Sequence, residues 1–241
     1  MKTHALLALV LLTPPALANG FGDWAAVVVA GDSYSEDQKD TAVFDNGRQT
    51  IVQELKGIGF QPNNIRQFTD WPQRFHDAER STPKRIAKGL NDVTRTAKAG
   101  CMVYLTSHGN QDGIGIGDAV LSPKRLGRMI DTACEKRPAV VIVSACYSGV
   151  FVDRLKAPDR IVFTAAAKDR SSFGCGATDK YTYFDTCAVE NLPKAGDFVT
   201  FGKRTIACVA AREKKEQVDR ASNPQLVVGE KAAAVVPRWG H

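Results

Sequence analysis

Past its first residues, the chain has no run approaching the roughly 20 apolar residues that a membrane helix requires, so stable membrane insertion is not expected. It has no Cys-x-x-Cys pair and no His-x-x-x-His spacing, the usual marks of a metal site. Cofactor motifs are equally scarce. The segment Gly113-Ile114-Gly115-Ile116-Gly117 looks like a nucleotide loop, but no helix follows it directly, so it fails the context of a dinucleotide site. No metal and no cofactor are expected. Excess charge is slight: 32 Lys and Arg stand against 26 Asp and Glu, a net +6 with pI about 9.0. The two signs alternate along most helical segments, which describes a solvated, mildly basic surface and not a nucleic-acid footprint. Glu213-Lys214-Lys215-Glu216 reads as one such exposed helix face.

Histidine is scarce too, with four in 241 residues. His4 lies in the leader described next, His241 ends the chain, and His76 falls in a charged loop. Only His108 closes an apolar run. The leader begins with Met1-Lys2-Thr3-His4, continues through the apolar Ala5 to Leu12, and ends in the small-x-small site Ala16-Leu17-Ala18. It is read as a secretory signal peptide over residues 1–18, with 19–241 forming a single domain of a size that supports a full core. Export, to the periplasm or beyond, gives the six cysteines a meaning, because disulfides persist in oxidising compartments. With one cysteine kept free for chemistry, two bridges and a spare thiol are the simplest accounting. Cys101 and Cys134 both fall at the amino edge of the expected sheet. Cys175 and Cys187 flank a short loop. These two pairs are the expected bridges, although spacing alone leaves connectivity open.

What is abundant is unbroken apolar strand. Trp24–Ala30, Asn64–Phe68, Cys101–Ser107, Ala139–Ala145 and Arg160–Ala165 read as buried strands. Helical patterns lie between them over Asp40–Lys56, Pro83–Lys98 and Ser122–Cys134, with a helical turn at Phe151–Leu155. Two more helical patterns follow at Tyr183–Asn191 and Asp197–Arg220. Trp71–Ser81 and Lys168–Thr182 read as loops, Asn110–Val120 as a glycine-rich loop with a small hairpin, and the tail from Asn223 as unpatterned. Alternating strand and helix imply an α/β fold, an open and mostly parallel sheet with helices on both faces.

Two strings stand out. Met102-Val103-Tyr104-Leu105-Thr106-Ser107-His108-Gly109 and Val140-Val141-Ile142-Val143-Ser144-Ala145-Cys146-Tyr147-Ser148-Gly149 each end a strand in a reactive side chain, with glycine close behind. Open α/β sheets put their sites at that edge. A histidine beside a cysteine there makes a nucleophile–base pair. The Gly109 and Cys146 N–H groups are candidate oxyanion donors, and His108 can also protonate a leaving amine.

The two strings resemble the caspase-like cysteine peptidases, in which one strand ends in His-Gly and the next in Ala-Cys. Within that group the chain is most similar to the legumain family. Trp24-Ala25-Ala26-Val27-Val28-Val29-Ala30-Gly31 resembles that family's first strand. Val162 to Cys175 resembles its Thr-Ala-Ala … Ser-Ser-Tyr-x-Cys segment, and Thr182-Tyr183-Phe184 the stretch that follows. The likeness implies a caspase-like fold and an endopeptidase acting on polypeptides, with Cys146 as nucleophile, His108 as base and acid, and Gly109 as oxyanion donor. Two departures concern specificity. Ser144 stands where the family has an acidic residue, and Ala42-Val43-Phe44-Asp45-Asn46 lacks its Arg-His pair. Ser144, Ser171, Ser172 and Asp185 are the candidate pocket residues, and Asp32, Asp45 or Asp185 the candidate counter-charges for a basic substrate. The same dyad would serve a transpeptidase if an amine reached the thioester before water. A caspase-like binding module without catalysis is the non-enzymatic alternative.

Overall fold

The computed structural model describes residues 20–240; the leader read over residues 1–18 lies outside the described residues. The chain forms β1 (Trp24–Ala30), α1 (Val43–Gly57), β2 (Ile65–Thr69), β3 (Glu79–Arg80), α2 (Pro83–Thr94) and β4 (Gly100–Thr106). There follow β5 (Gly109–Asn110), β6 (Gly113–Ile116), β7 (Ala119–Leu121), α3 (Pro123–Cys134) and β8 (Ala139–Ser144). The remainder is α4 (Val152–Leu155), β9 (Arg160–Thr164), α5 (Tyr183–Ala195), α6 (Phe198–Lys215), β10 (Gln225–Val228) and α7 (Ala232–Val235).

Seven strands form one sheet in the order β10-β9-β8-β4-β1-β2-β3, parallel throughout except for β10. The central strands read as continuous apolar runs because both faces are covered. Alternate residues point to opposite sides. Ala26, Val28, Met102, Tyr104, Val140 and Ile142 pack under α1, α5 and α6, against Ile51, Leu55, Phe184, Leu192, Phe198 and Phe201. Ala25, Val27, Val29, Val103, Leu105, Val141 and Val143 pack under α2, α3 and α4, against Ile86, Leu90, Leu126, Ile130 and Leu155. Proline opens α2 and α3 at the first turn, and the Thr82 and Ser122 hydroxyls cap them by accepting the Arg85 and Arg125 N–H groups.

The five strands and the flanking helices fall where the sequence puts them, within a few residues. Three expectations need correction. Trp71–Ser81 is not all loop, since Glu79–Arg80 adds a short edge strand beside β2. The tail is structured: β10 runs antiparallel along β9, and Trp239 packs on Phe198 at 5.1 Å and on Phe21 at 5.9 Å. The third concerns a bridge. Cys101 and Cys134 pair as expected, with Cα atoms 6.1 Å apart, but Cys187 pairs with Cys208, at 5.7 Å, and not with Cys175. Cys187 faces inward from α5 onto neighbouring α6, whereas the loop carrying Cys175 turns back toward Ala30, Val43 and Phe44. Among the described residues no helix is long and apolar enough to cross a membrane.

Candidate active site

After β1 the chain first adds β2 on one side and then β4 on the other, which leaves a crevice at the carboxyl ends of β1 and β4. Thr106 of β4 pairs with Ser144 of β8. His108 and Cys146 each lie two residues beyond that pair, so register alone brings them to adjacent places on one edge. Ser107 N–H donates to Ser144 O at 3.1 Å and carries the alignment a step further. At Gly109 the fit is tight: a Cβ there would sit 2.4 Å from the Cys146 carbonyl oxygen and 2.9 Å from Ala145 Cβ. Only glycine lets the two segments approach this closely.

The glycine-rich segment after His108 is a three-stranded antiparallel ribbon, β5-β6-β7. Gly115 N–H donates to His108 O at 2.9 Å, and Gly117 N–H to Gly31 O at 2.7 Å, which fastens the ribbon over the ends of β1 and β4. With His108 O used in this way, Gly109 and Ile114 form a pair that exchanges no hydrogen bonds of its own. Gly109 N–H is thereby left outside the ladder.

The His108 ring is held from two sides. Phe44 meets it edge to face at 5.0 Å, and Nε2 lies 2.9 Å from the Tyr34 carbonyl oxygen. A carbonyl oxygen only accepts, so Nε2 carries the hydrogen, and in the neutral ring Nδ1 keeps the lone pair. Tyr34 is held in turn by Asp32, whose Oδ1 accepts the Ser33 and Tyr34 N–H groups at 2.7 and 2.9 Å. The Tyr34 contact was not legible in the sequence, because a backbone carbonyl has no residue signature.

Cys146 is half-buried and unpaired. Tyr147, the next residue, has φ +56°, a left-handed conformation that costs a bulky residue about 1 kcal/mol or more. Tyr147 N–H donates to Arg170 O at 2.7 Å and holds the turn. The thiol is cradled by Ser172, whose N–H donates to Sγ at 3.2 Å and whose carbonyl accepts at 3.4 Å. Among the described residues, Cys146 and His108 make no hydrogen bond to each other in this conformation. Cys175 comes close as well; burial, with the Cys146 sulfur nearby, pushes its thiol up to about 11.

The pocket candidates separate into two sets. Ser172 touches the thiol, and Ser171 lines a cavity of about 430 Å3 with Tyr147, Arg170, Phe173 and Val218. Ser144 and Asp185 lie inside the protein, 1% and 0% exposed. Asp185 accepts hydrogen bonds from Tyr104 Oη and Thr106 Oγ1, both at 2.6 Å, while the buried Ser144 hydroxyl makes no hydrogen bond. Burial raises the Asp185 pKa against the pull of these donors. A Cβ on Gly47 of α1 would come 2.8 Å from its Oδ2, so α1 closes over it. Asp45 is similarly enclosed, bonded to Arg48 Nε and Thr69 Oγ1 at 2.7 Å each. Glu213, expected on an exposed face, is 4% exposed and accepts the Ser222 N–H at 3.0 Å. A second cavity, about 140 Å3, lies on the other flank and is lined by His108, Gly109, Asn110, Gly113, Gly115 and Val120. Among the described residues no cluster of His, Cys, Asp or Glu has the makings of a metal site.

The arrangement suits acyl transfer: a half-buried, unpaired thiol, an imidazole of fixed tautomer, and backbone N–H groups at one edge. Comparison with known proteins speaks to family and fold. The model of the Peptidase C13 family matches residues 80–216, a span that includes both strand-end strings. Among 244 matching chains of solved structures is caspase-1 from Spodoptera frugiperda, with TM-score 0.64, 15% identity, and coverage of 92% of this chain and 94% of that one. No curated protein matches the chain.

Proposed function

The chain belongs to the Peptidase C13 family and is a cysteine-type peptidase, and on that premise we propose that it is an endopeptidase cleaving polypeptides through a thioester on Cys146. The observation that carries this reading is the Thr106–Ser144 register, which sets His108 and Cys146 side by side beyond neighbouring strands. His108 Nδ1 takes the thiol proton, and Sγ attacks the scissile carbonyl carbon. Negative charge developing on the carbonyl oxygen meets the N–H groups of Gly109 and Cys146. The C–N bond then breaks, and the amine departs with the proton from His108. Water, deprotonated by His108, attacks the thioester and releases the acid with the thiol restored. The Tyr34 carbonyl keeps Nε2–H pointed away from the thiol throughout. Hydrogen bonds of this kind are commonly loose before substrate binds, so the ring and thiol engage as the scissile bond enters.

The domain is proposed to act after export, with residues 1–18 removed as a leader. Two cysteine pairs at bonding distance support an oxidising compartment.

Alkylation by iodoacetamide, read by peptide mass, tests the dyad. Rapid labelling of Cys146 that slows at least about tenfold in His108→Ala is expected, with peptide cleavage abolished in Cys146→Ala. Equal labelling rates in the wild type and in His108→Ala would sink the proposed roles.

A further inference from the structure

The cavity of about 430 Å3 beside Tyr147 has a size typical of ligand pockets. It starts at the residue that follows Cys146 and includes Ser171, the neighbour of the serine cradling the thiol. Its far wall is Gln217–Arg220, the turn after α6. That wall is built, not slack. The buried Glu213 carboxylate accepts Ser222 N–H, Ala167 N–H donates to Ser222 O at 2.8 Å, and Val218 N–H donates to Glu213 O at 2.9 Å. A carboxylate taken out of water to hold a turn marks a shape fixed in advance.

The lining chemistry is an apolar floor with a self-neutralised rim. Tyr147, Phe173 and Val218 supply the floor. At the rim, Arg170 and Arg220 both bond Asp169 Oδ2, at 2.8 and 2.9 Å, and Asp219 balances the second guanidinium in charge. A rim without net charge does not select by charge, which leaves shape and apolar burial to decide.

The direction of the substrate follows from the proposed chemistry. His108 gives its proton to the leaving amine, so the amine half of the peptide runs past His108 and its small cavity. The acyl half runs the other way, past Ser171–Phe173. We propose that the Tyr147–Phe173–Val218 cavity is a specificity subsite that takes a bulky apolar side chain, aromatic or branched aliphatic, from the acyl side of the scissile bond. The subsite rests on the dyad reading above. Glu213 is a positioning residue for it, acting through the turn that bears Val218.

The test uses the full mature chain and a peptide library varied at each acyl-side position. One position favours Phe, Tyr, Leu or Ile over Gly by about tenfold or more in kcat/KM. In Val218→Trp, which fills the cavity, that ratio collapses toward one, and in Glu213→Gln it falls by less. A library with no apolar preference at any acyl-side position overturns the subsite, and so does a Val218→Trp enzyme that keeps the wild-type ratio. Cys146 alkylation is scored in parallel. Fast, His108-dependent alkylation with no apolar preference refutes the subsite alone. Slow alkylation that ignores His108, with no peptide cleaved, refutes the dyad and the subsite with it.

Discussion

The two ends of the sheet are built on opposite principles. At the amino edge, Phe21 stacks on Phe60 at 4.7 Å, and Trp24 is so closely packed that a Cβ on Gly100 would lie 2.5 Å from its indole. The Cys101–Cys134 bridge fastens β4 to α3 at the same end. This is a dense apolar end with a covalent tie. At the carboxyl edge, glycines press backbone against backbone, Tyr147 is held in a left-handed conformation, and polar side chains are half-exposed or buried as hydrogen-bonded clusters. One end concentrates stability, and the other holds strain and polarity where chemistry is proposed. A rigid end lets the other carry a cost without losing its shape.

That contrast can be broken or sharpened by substitution. The largest effect is expected at the amino edge. Trp24→Ala should lower unfolding free energy by about 3–5 kcal/mol in denaturant melts, while the alkylation rate of Cys146 in the folded fraction stays as in the wild type. A parallel loss of thiol reactivity would mean that the two ends are mechanically coupled. Next comes Gly109→Ala. The added methyl meets the Cys146 carbonyl at 2.4 Å and displaces the proposed oxyanion donor, so kcat/KM should drop about a hundredfold or more.

The smallest effect concerns the buried cluster beneath the carboxyl edge. Burial raises the Asp185 pKa, so the native protein holds that proton to higher pH than the unfolded chain. Between the ordinary carboxylate value and the raised native one the unfolded state therefore binds fewer protons, and stability falls as pH rises through that window. In Asp185→Asn this part of the decline should vanish, which melting temperatures across a pH series would reveal. An unaltered slope would show that Asp185 is ionised in the native protein with its donors fully compensating burial.

Much of this was legible in the chain. Strands buried on both faces carry an unbroken apolar signature, so Trp24–Ala30, Gly100–Thr106 and Ala139–Ser144 were found nearly to the residue. His108 and Cys146 stood out because each ends such a run. Other features were hidden for physical reasons. The half-buried Gln225–Val228 has no periodicity strong enough to distinguish it from loop, and its strand character comes from β9. Cys187 and Cys208 meet only because α5 and α6 pack side by side, a tertiary fact. Asp185 resembled a surface pocket residue because sequence does not say that α1 will cover it. Glu213 looked solvated among its charged neighbours, since the turn that uses its carboxylate follows nine residues later.

The orienting partner of His108 is a peptide carbonyl, and that has a genetic consequence. A side chain in this role would disappear with a single codon change, but the carbonyl of residue 34 survives any of them. Tyr34 is 47% exposed, so its ring is free to drift while the tautomer is preserved. The vulnerable position lies two residues upstream at Asp32, whose carboxylate shapes the turn that aims the carbonyl. Natural variation at these neighbouring sites should therefore be unequal, permissive at 34 and narrow at 32.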